Sequence, residues 1–156
     1  MTQQIPSEKV KKTTEELLLK LKVTGSVEVL EEIDGLKVSI SSPDSALLIG
    51  WRGAGLVALE YLVRLLFFAA AGKSGEPLPE VHLDIEGYKQ HQVEELTEMA
   101  RRTAQKVRET KAPEVLRPMN GFERRTIHVA LADVADIVTE SVGVDPNRRI
   151  VIKPKV

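Results

Sequence analysis

Leu48-Ile49-Gly50-Trp51-Arg52-Gly53, continued by Ala54-Gly55-Leu56-Val57-Ala58-Leu59-Glu60-Tyr61-Leu62-Val63, is the stretch on which the fold turns. Ahead of it, Ser42-Pro43-Asp44 reads as an N-cap with proline at the first helical position. That opens a short helix through Ala46, Leu47, Leu48 and Ile49, which Gly50 stops. Behind it, apolar spacing predicts a second helix from about Ala54 to Ala71, ended by Gly72. Glycines at both ends of Gly50-Trp51-Arg52-Gly53 let one backbone approach another closely. The N–H groups of Ala54 and Gly55, the helix dipole and the Arg52 charge together suit a phosphate. An isolated G-x-x-G is usually no more than a connection between helices, so the order of the surrounding elements has to decide.

Outward from the loop, Pro6 and Ser7 precede a helix with Val10, Leu17, Leu18 and Leu21 on one side, ended by Gly25. Val27 and Val29, then Leu36, Val38 and Ile40, recur with period two around Asp34-Gly35, which predicts an antiparallel hairpin. Lys73 to Pro79 is a polar loop, and Val81 to Ile85 alternates as a strand. This order of helix, strand, strand, helix, glycine loop, helix and strand resembles a type II KH domain over roughly residues 20–86. The resemblance implies that the loop clamps the backbone of about four nucleotides while an apolar groove receives the bases. Relatives usually place a basic residue where this chain has Trp51, which leaves that side chain to stack on a base or to pack on a protein partner.

Beyond Gly87 the character changes. A long polar helix is predicted from about Lys89 to Thr110, an extended piece between Pro113 and Pro118, a helix from Phe122 to Val134, and strands at Ile137 to Thr139 and Arg149 to Ile152. Arg124 and His128, four apart, share a helix face at the edge of the apolar side formed by Ile127, Leu131 and Val134. A histidine so placed is more often a structural hydrogen-bond former than a ligand. The run Pro118-Met119-Asn120-Gly121-Phe122-Glu123-Arg124-Arg125-Thr126-Ile127-His128, with Asp145-Pro146-Asn147-Arg148-Arg149-Ile150-Val151-Ile152-Lys153-Pro154, resembles an R-3-H domain over about residues 87–156. That module is named for its Arg-x-x-x-His pair and implicated in single-stranded nucleic-acid binding. The resemblance implies a basic surface that gains Arg125, Arg148, Arg149 and Lys153.

The fold class expected is therefore α+β: an N-terminal helix over residues 1–25, a type II KH domain over 26–86 and a small R-3-H domain over 87–156. The tandem resembles the Jag family of bacterial RNA-binding proteins, also called SpoIIIJ-associated proteins. That likeness implies single-stranded RNA, or single-stranded DNA, as partner, a small KH-only protein as a second, a link to cell shape and division, and a cytoplasmic location. Many members carry a further N-terminal domain and linker, which this chain is expected to lack. The RNA-binding residues expected are Gly50, Trp51, Arg52 and Gly53 of the loop, with Arg124, Arg125, His128, Arg148 and Arg149 of the basic surface.

Composition excludes several other classes. The 156 residues suffice for one ordinary domain or two very small ones, and 42% hydrophobic with 29% charged residues is a globular mixture. Net charge of −1 conceals an asymmetry: 9 Lys/Arg against 13 Asp/Glu in residues 1–86, and 13 against 10 in residues 87–156. Absence of cysteine removes disulfides, thiolate metal sites and thiol nucleophiles. The start lacks a signal-peptide apolar region, and Leu56 to Ala71, interrupted by Glu60 and Arg64, is shorter than the ~20 residues of a membrane span, so a buried helix and no membrane insertion are expected. Gly50 to Gly55 is not a dinucleotide fingerprint, and Gly72-Lys73-Ser74 lacks the first glycine of a phosphate-binding P-loop. Arg124 with His128, or His91 with Glu94, falls short of the three ligands or groups that hydrolytic chemistry needs, so neither an enzyme nor a metal or cofactor is expected. The remaining rival is a protein adaptor using Trp51, Phe67 and Phe68, of which the two phenylalanines are expected in the core.

Overall fold

The computed structural model describes residues 6–71 and 77–155, so Gly72 and the beginning of the predicted polar loop lie outside the described residues. The chain divides into two compact units, Met1–Lys89 and Gln90–Val156. In the first, α1 (Pro6–Lys20), β1 (Ser26–Glu32), β2 (Gly35–Ser41), α2 (Ser45–Ile49), a 3-10 turn (Trp51–Gly53), α3 (Ala54–Ala71) and β3 (Val81–Ile85) follow in order. The sheet runs β1-β2-β3, antiparallel between the first two strands and parallel between the last two. Strand alternation sends Val27, Leu36, Val38, Ile40, Val81, Leu83 and Ile85 to one face, where Val10, Leu18, Leu48, Leu56, Leu59, Val63 and Phe67 of the helices cover them.

Three local expectations are corrected. The hairpin loop is Ile33-Asp34, while Gly35 already pairs with Glu32. The neighbouring strand is responsible: Leu36 donates its N–H to the Glu80 carbonyl at 2.7 Å, drawing the start of β2 into the sheet. Ser42 does not cap α2, whose N-cap is Asp44 without a side-chain bond. The Ser42 hydroxyl instead accepts from Asp44 N at 3.0 Å and donates to the Thr24 carbonyl, holding a turn ahead of the helix. Nor is α3 buried all round. Phe67 is inaccessible, but Phe68 is 46% exposed, and Val57, Tyr61, Leu62, Leu65 and Leu66 also face solvent. Trp51–Ala71 is in fact long and apolar enough to cross a membrane by length and composition alone.

The two ionised residues of α3 are both directed to the outer edge of β3. Arg64 Nε donates to the Val81 carbonyl at 2.6 Å, and Glu60 Oε2 accepts from Leu83 N at 2.8 Å and from Lys89 Nζ at 3.0 Å. Backbone groups that an edge strand would leave unpaired are thus satisfied by the helix above it.

In the second unit, α4 (Tyr88–Thr110, its first residues in the first unit) is followed by β4 (Glu114–Pro118), α5 (Gly121–Ala130), β5 (Ile137–Val142) and β6 (Arg149–Pro154). The antiparallel sheet runs β4-β6-β5. Leu96, Ala100, Ala104 and Val107 form the inner stripe of α4 and meet Met119, Ile127, Leu131, Ile137, Ile150 and Ile152. The α5 helix stops at Ala130, short of the expected Val134, yet Leu131 and Val134 still pack on the core, so the apolar spacing outlasts the helix.

Burial opposes ionisation of Glu60, but the Leu83 N–H, the Lys89 hydrogen bond and the charges of Lys89 and Arg64 outweigh it and hold the carboxyl below its ordinary 4.5. A carboxyl whose pKa is lower in the folded state contributes stability above its unfolded pKa and loses it as pH falls through the folded one. Glu60→Ala, which orphans Leu83 N, is expected to cost about 1–3 kcal/mol at neutral pH. In denaturant melts the difference between wild type and Glu60→Gln should shrink as pH is lowered through the carboxylate range.

Candidate nucleic-acid interface

The loop joining α2 to α3 is built by three residues in the left-handed region: Gly50 at φ 67°, Arg52 at φ 50° and Gly53 at φ 81°. Gly53 has a second reason to lack a side chain, because a Cβ there would stand 2.9 Å from the Tyr88 ring. Two residues on, a Cβ at Gly55 would be 2.4 Å from the Leu48 carbonyl oxygen. Hence α2 and the first turn of α3 touch backbone to backbone, and the turn between them carries Trp51 and Arg52 outward. Gly53 is buried, whereas Trp51 and Arg52 are exposed, Trp51 to 80%. The Arg52 guanidinium carbon lies 5.3 Å from the indole centroid, a cation–π arrangement. The structure therefore brings Gly50, Trp51, Arg52 and Gly53 together as one projecting turn.

The second group lies where the β4–α5 connection, the start of α5 and the β5–β6 loop meet. Asn120 caps α5 by accepting from Glu123 N at 2.9 Å, and the Glu123 carboxylate accepts from Asn120 N at 2.9 Å in return. The other Glu123 oxygen accepts from Arg117 at 2.8 Å, so a carboxylate only 2% exposed has every neighbour it needs. One turn along, Arg124 Nη1 donates to the Met119 carbonyl at 2.6 Å and to Asp145 Oδ1 at 2.9 Å. Its side chain is 11% exposed. His128 Nδ1 is 2.7 Å from the Thr139 hydroxyl on β5.

These contacts give Arg124 and His128 partners within their own unit, at the edge of the apolar side where the sequence places them. Arg124 ties two loops to α5, and His128 ties α5 to the sheet. Around them Arg125 is exposed, Arg148 Nε donates to Ser141 Oγ at 2.9 Å, Arg149 Nε donates to the Asn147 carbonyl at 3.2 Å, and Lys153 pairs with Glu140. Glu123 and Asp145 were not singled out from sequence. Asn120-x-x-Glu123 ahead of an apolar helix is a capping signature that could have found the first. Asp145 opens the Asp145–Pro154 run, but nothing local marks its partner, which lies 21 residues away. His91 Nδ1 and Glu94 Oε2 are 3.8 Å apart on an exposed helix face, and no group of three metal-ligating side chains occurs among the described residues.

Comparison with known proteins adds to this geometry. The R-3-H domain family matches residues 94–154. The RNA-binding protein KhpB of Clostridium symbiosum is 39% identical over 130 residues, 83% of this chain and 57% of its own length. KhpB of Bacillus subtilis (strain 168) is 36% identical over 131 residues, 83% of this chain and 61% of its own. KhpB of Lactiplantibacillus plantarum is 31% identical over 115 residues, 74% of this chain and 34% of its own. The chain thus spans about three fifths or less of the length of the curated relatives it matches.

Arg124→Ala removes the side chain that bridges Met119 and Asp145, and is expected to cost about 1–3 kcal/mol in unfolding free energy. Arg125→Ala, at an exposed position, should stay within ~0.5 kcal/mol. Urea melts of the two variants side by side check the contrast.

Proposed function

We propose, from the match of residues 94–154 to the R-3-H domain family and the likeness of most of the chain to the KhpB RNA-binding proteins, that it binds single-stranded RNA through two surfaces and performs no chemistry on it. The observation that carries the proposal is the projecting turn Gly50-Trp51-Arg52-Gly53, seated between two helices in an α-β-β-α-α-β unit whose second and third strands are parallel. That order of elements supports our reading of residues 26–86 as a type II KH domain behind an N-terminal helix. In the second unit, Arg125, Arg148 and Arg149 are the cations we assign to phosphate contact. Arg124 serves them by fixing the β4–α5 and β5–β6 loops, and His128 by tying α5 to β5. A regulatory role at the post-transcriptional level, and in cell shape and division, accords with this reading. So does a cytoplasmic location, since α3 spends its two ionised groups and one face on its own sheet.

A second reading is favoured by one specific observation. The outer face of α3, with Val57, Tyr61, Leu62, Leu65 and Phe68 exposed and no ionised residue among them, suits a protein contact. We assign it to a small KH-only partner, alongside RNA rather than in its place.

Arg52→Asp and Arg125→Ala with Arg149→Ala are expected to weaken binding to a single-stranded oligoribonucleotide. Each lost phosphate contact should flatten the slope of log K against log salt by ~0.7. A wild-type chain that fails to bind single-stranded RNA at low salt would overturn the proposal. For the second reading, Tyr61→Glu with Leu65→Glu should abolish complex formation in light scattering and leave RNA affinity unchanged.

A further inference from the structure

The first unit has an electrostatic difficulty as an RNA binder. Residues 1–89 carry 10 Lys/Arg against 13 Asp/Glu, net −3, while residues 90–156 carry 12 against 10, net +2. At the projecting turn itself the single cation is Arg52, and it lies over the indole of Trp51. Phosphate attraction alone is a weak source of affinity for a surface so composed.

Trp51 supplies another source. An indole is the largest planar face a protein side chain offers, and leaving it 80% exposed forgoes its burial. The backbone that carries the ring is fixed. Gly50, Arg52 and Gly53 hold the turn in left-handed backbone, Gly53 is packed against Tyr88, and α2 abuts α3 at Gly55. With the guanidinium over one face at 5.3 Å and the residue so exposed, the opposite ring face meets solvent. A cation on one side of an aromatic ring and a second planar ring on the other is a favourable stack, and a turn already fixed loses little freedom when it forms.

We propose that Trp51 is a base-stacking platform: the turn grips RNA by stacking one unpaired nucleobase on the open indole face, with Arg52 as backing. This rests on the RNA-binding reading above and deepens it. The class of ligand is an unpaired base in a single strand, because a base inside a duplex has both faces already stacked. Stacking is tolerant of base identity, so the turn contributes attachment rather than sequence choice.

Trp51 is the single tryptophan of the chain, so its emission reports this turn alone. The probes are an octamer of uridylate and the same ribose-phosphate octamer with all of its bases removed, titrated into the full chain while anisotropy of a labelled uridylate octamer reports binding anywhere. The intact octamer should quench Trp51, and the abasic one should not. Trp51→Ala should lower affinity for the uridylate octamer by roughly five- to hundredfold with an unchanged salt slope, and Trp51→Phe should recover part of the loss. Arg52→Ala should flatten the slope. A thermal melt of Trp51→Ala matching wild type excludes damage to the fold, the side chain being exposed. RNA binding by anisotropy with unquenched Trp51, or equal quenching by the abasic octamer, overturns the stacking platform while leaving RNA binding intact. Blue-shifted emission that depends on protein concentration and not on RNA overturns it in favour of a protein contact. Absence of RNA binding in either channel overturns both readings together.

Discussion

Gly55 sets the constraint from which the first unit follows. The Leu48 carbonyl oxygen occupies the place where any other residue would put its Cβ, so α2 and α3 can pack only with glycine there. Once the two helices meet backbone to backbone, the residues between them have no room to run inside, and the chain leaves the core as a tight left-handed turn. Leu48, Leu56 and Leu59 on either side of the turn anchor it in the core, so buried apolar surface holds the turn from which Trp51 and Arg52 project.

Polar groups follow the same logic of enforced partnership in both units. Glu60 and Arg64 are the two ionised residues of an otherwise apolar helix, and both are used on the free edge of β3. Glu123, nearly inaccessible, is held by a helix N-terminus and by Arg117. Arg124 is held by a carbonyl and a carboxylate. A buried charge is tolerated when hydrogen bonds satisfy it, and its removal leaves its partners stranded. Side chains that look like ligands in a motif can therefore be the framework that presents others. Arg124 and His128 match the Arg-x-x-x-His spacing after which the R-3-H module is named, and their observed contacts are to the loops and sheet of their own unit.

The two surfaces differ in the physics available to them. The second unit has a net positive charge and several arginines near loops, which suits long-range attraction of phosphate. The first has a net negative charge, one arginine at its turn and a bare indole, which suits short-range contact with an exposed base. A single strand can present both its backbone and its bases, whereas a duplex presents chiefly its backbone and groove edges.

Much of this was legible in the sequence because it depends on residues close together along the chain. Period-two alternation placed β2 and β3, apolar spacing placed α3, and the glycines marked the turn. The class of fold followed from the order of those elements. What the linear pattern could not decide was where groups far apart in sequence would meet. Asp145 reaches Arg124 across 21 residues, Leu83 N reaches Glu60 across 23, and Thr139 reaches His128 across 11. Those meetings determine whether a charged side chain is solvent-facing or framework. The same holds for α3: its composition reads as wholly buried, but one sheet covers only one side of a helix, so Phe67 is inside and Phe68 is outside although the two are adjacent. Local spacing determines periodicity and turn chemistry; only packing in three dimensions determines which face is covered and which charge is left to bind.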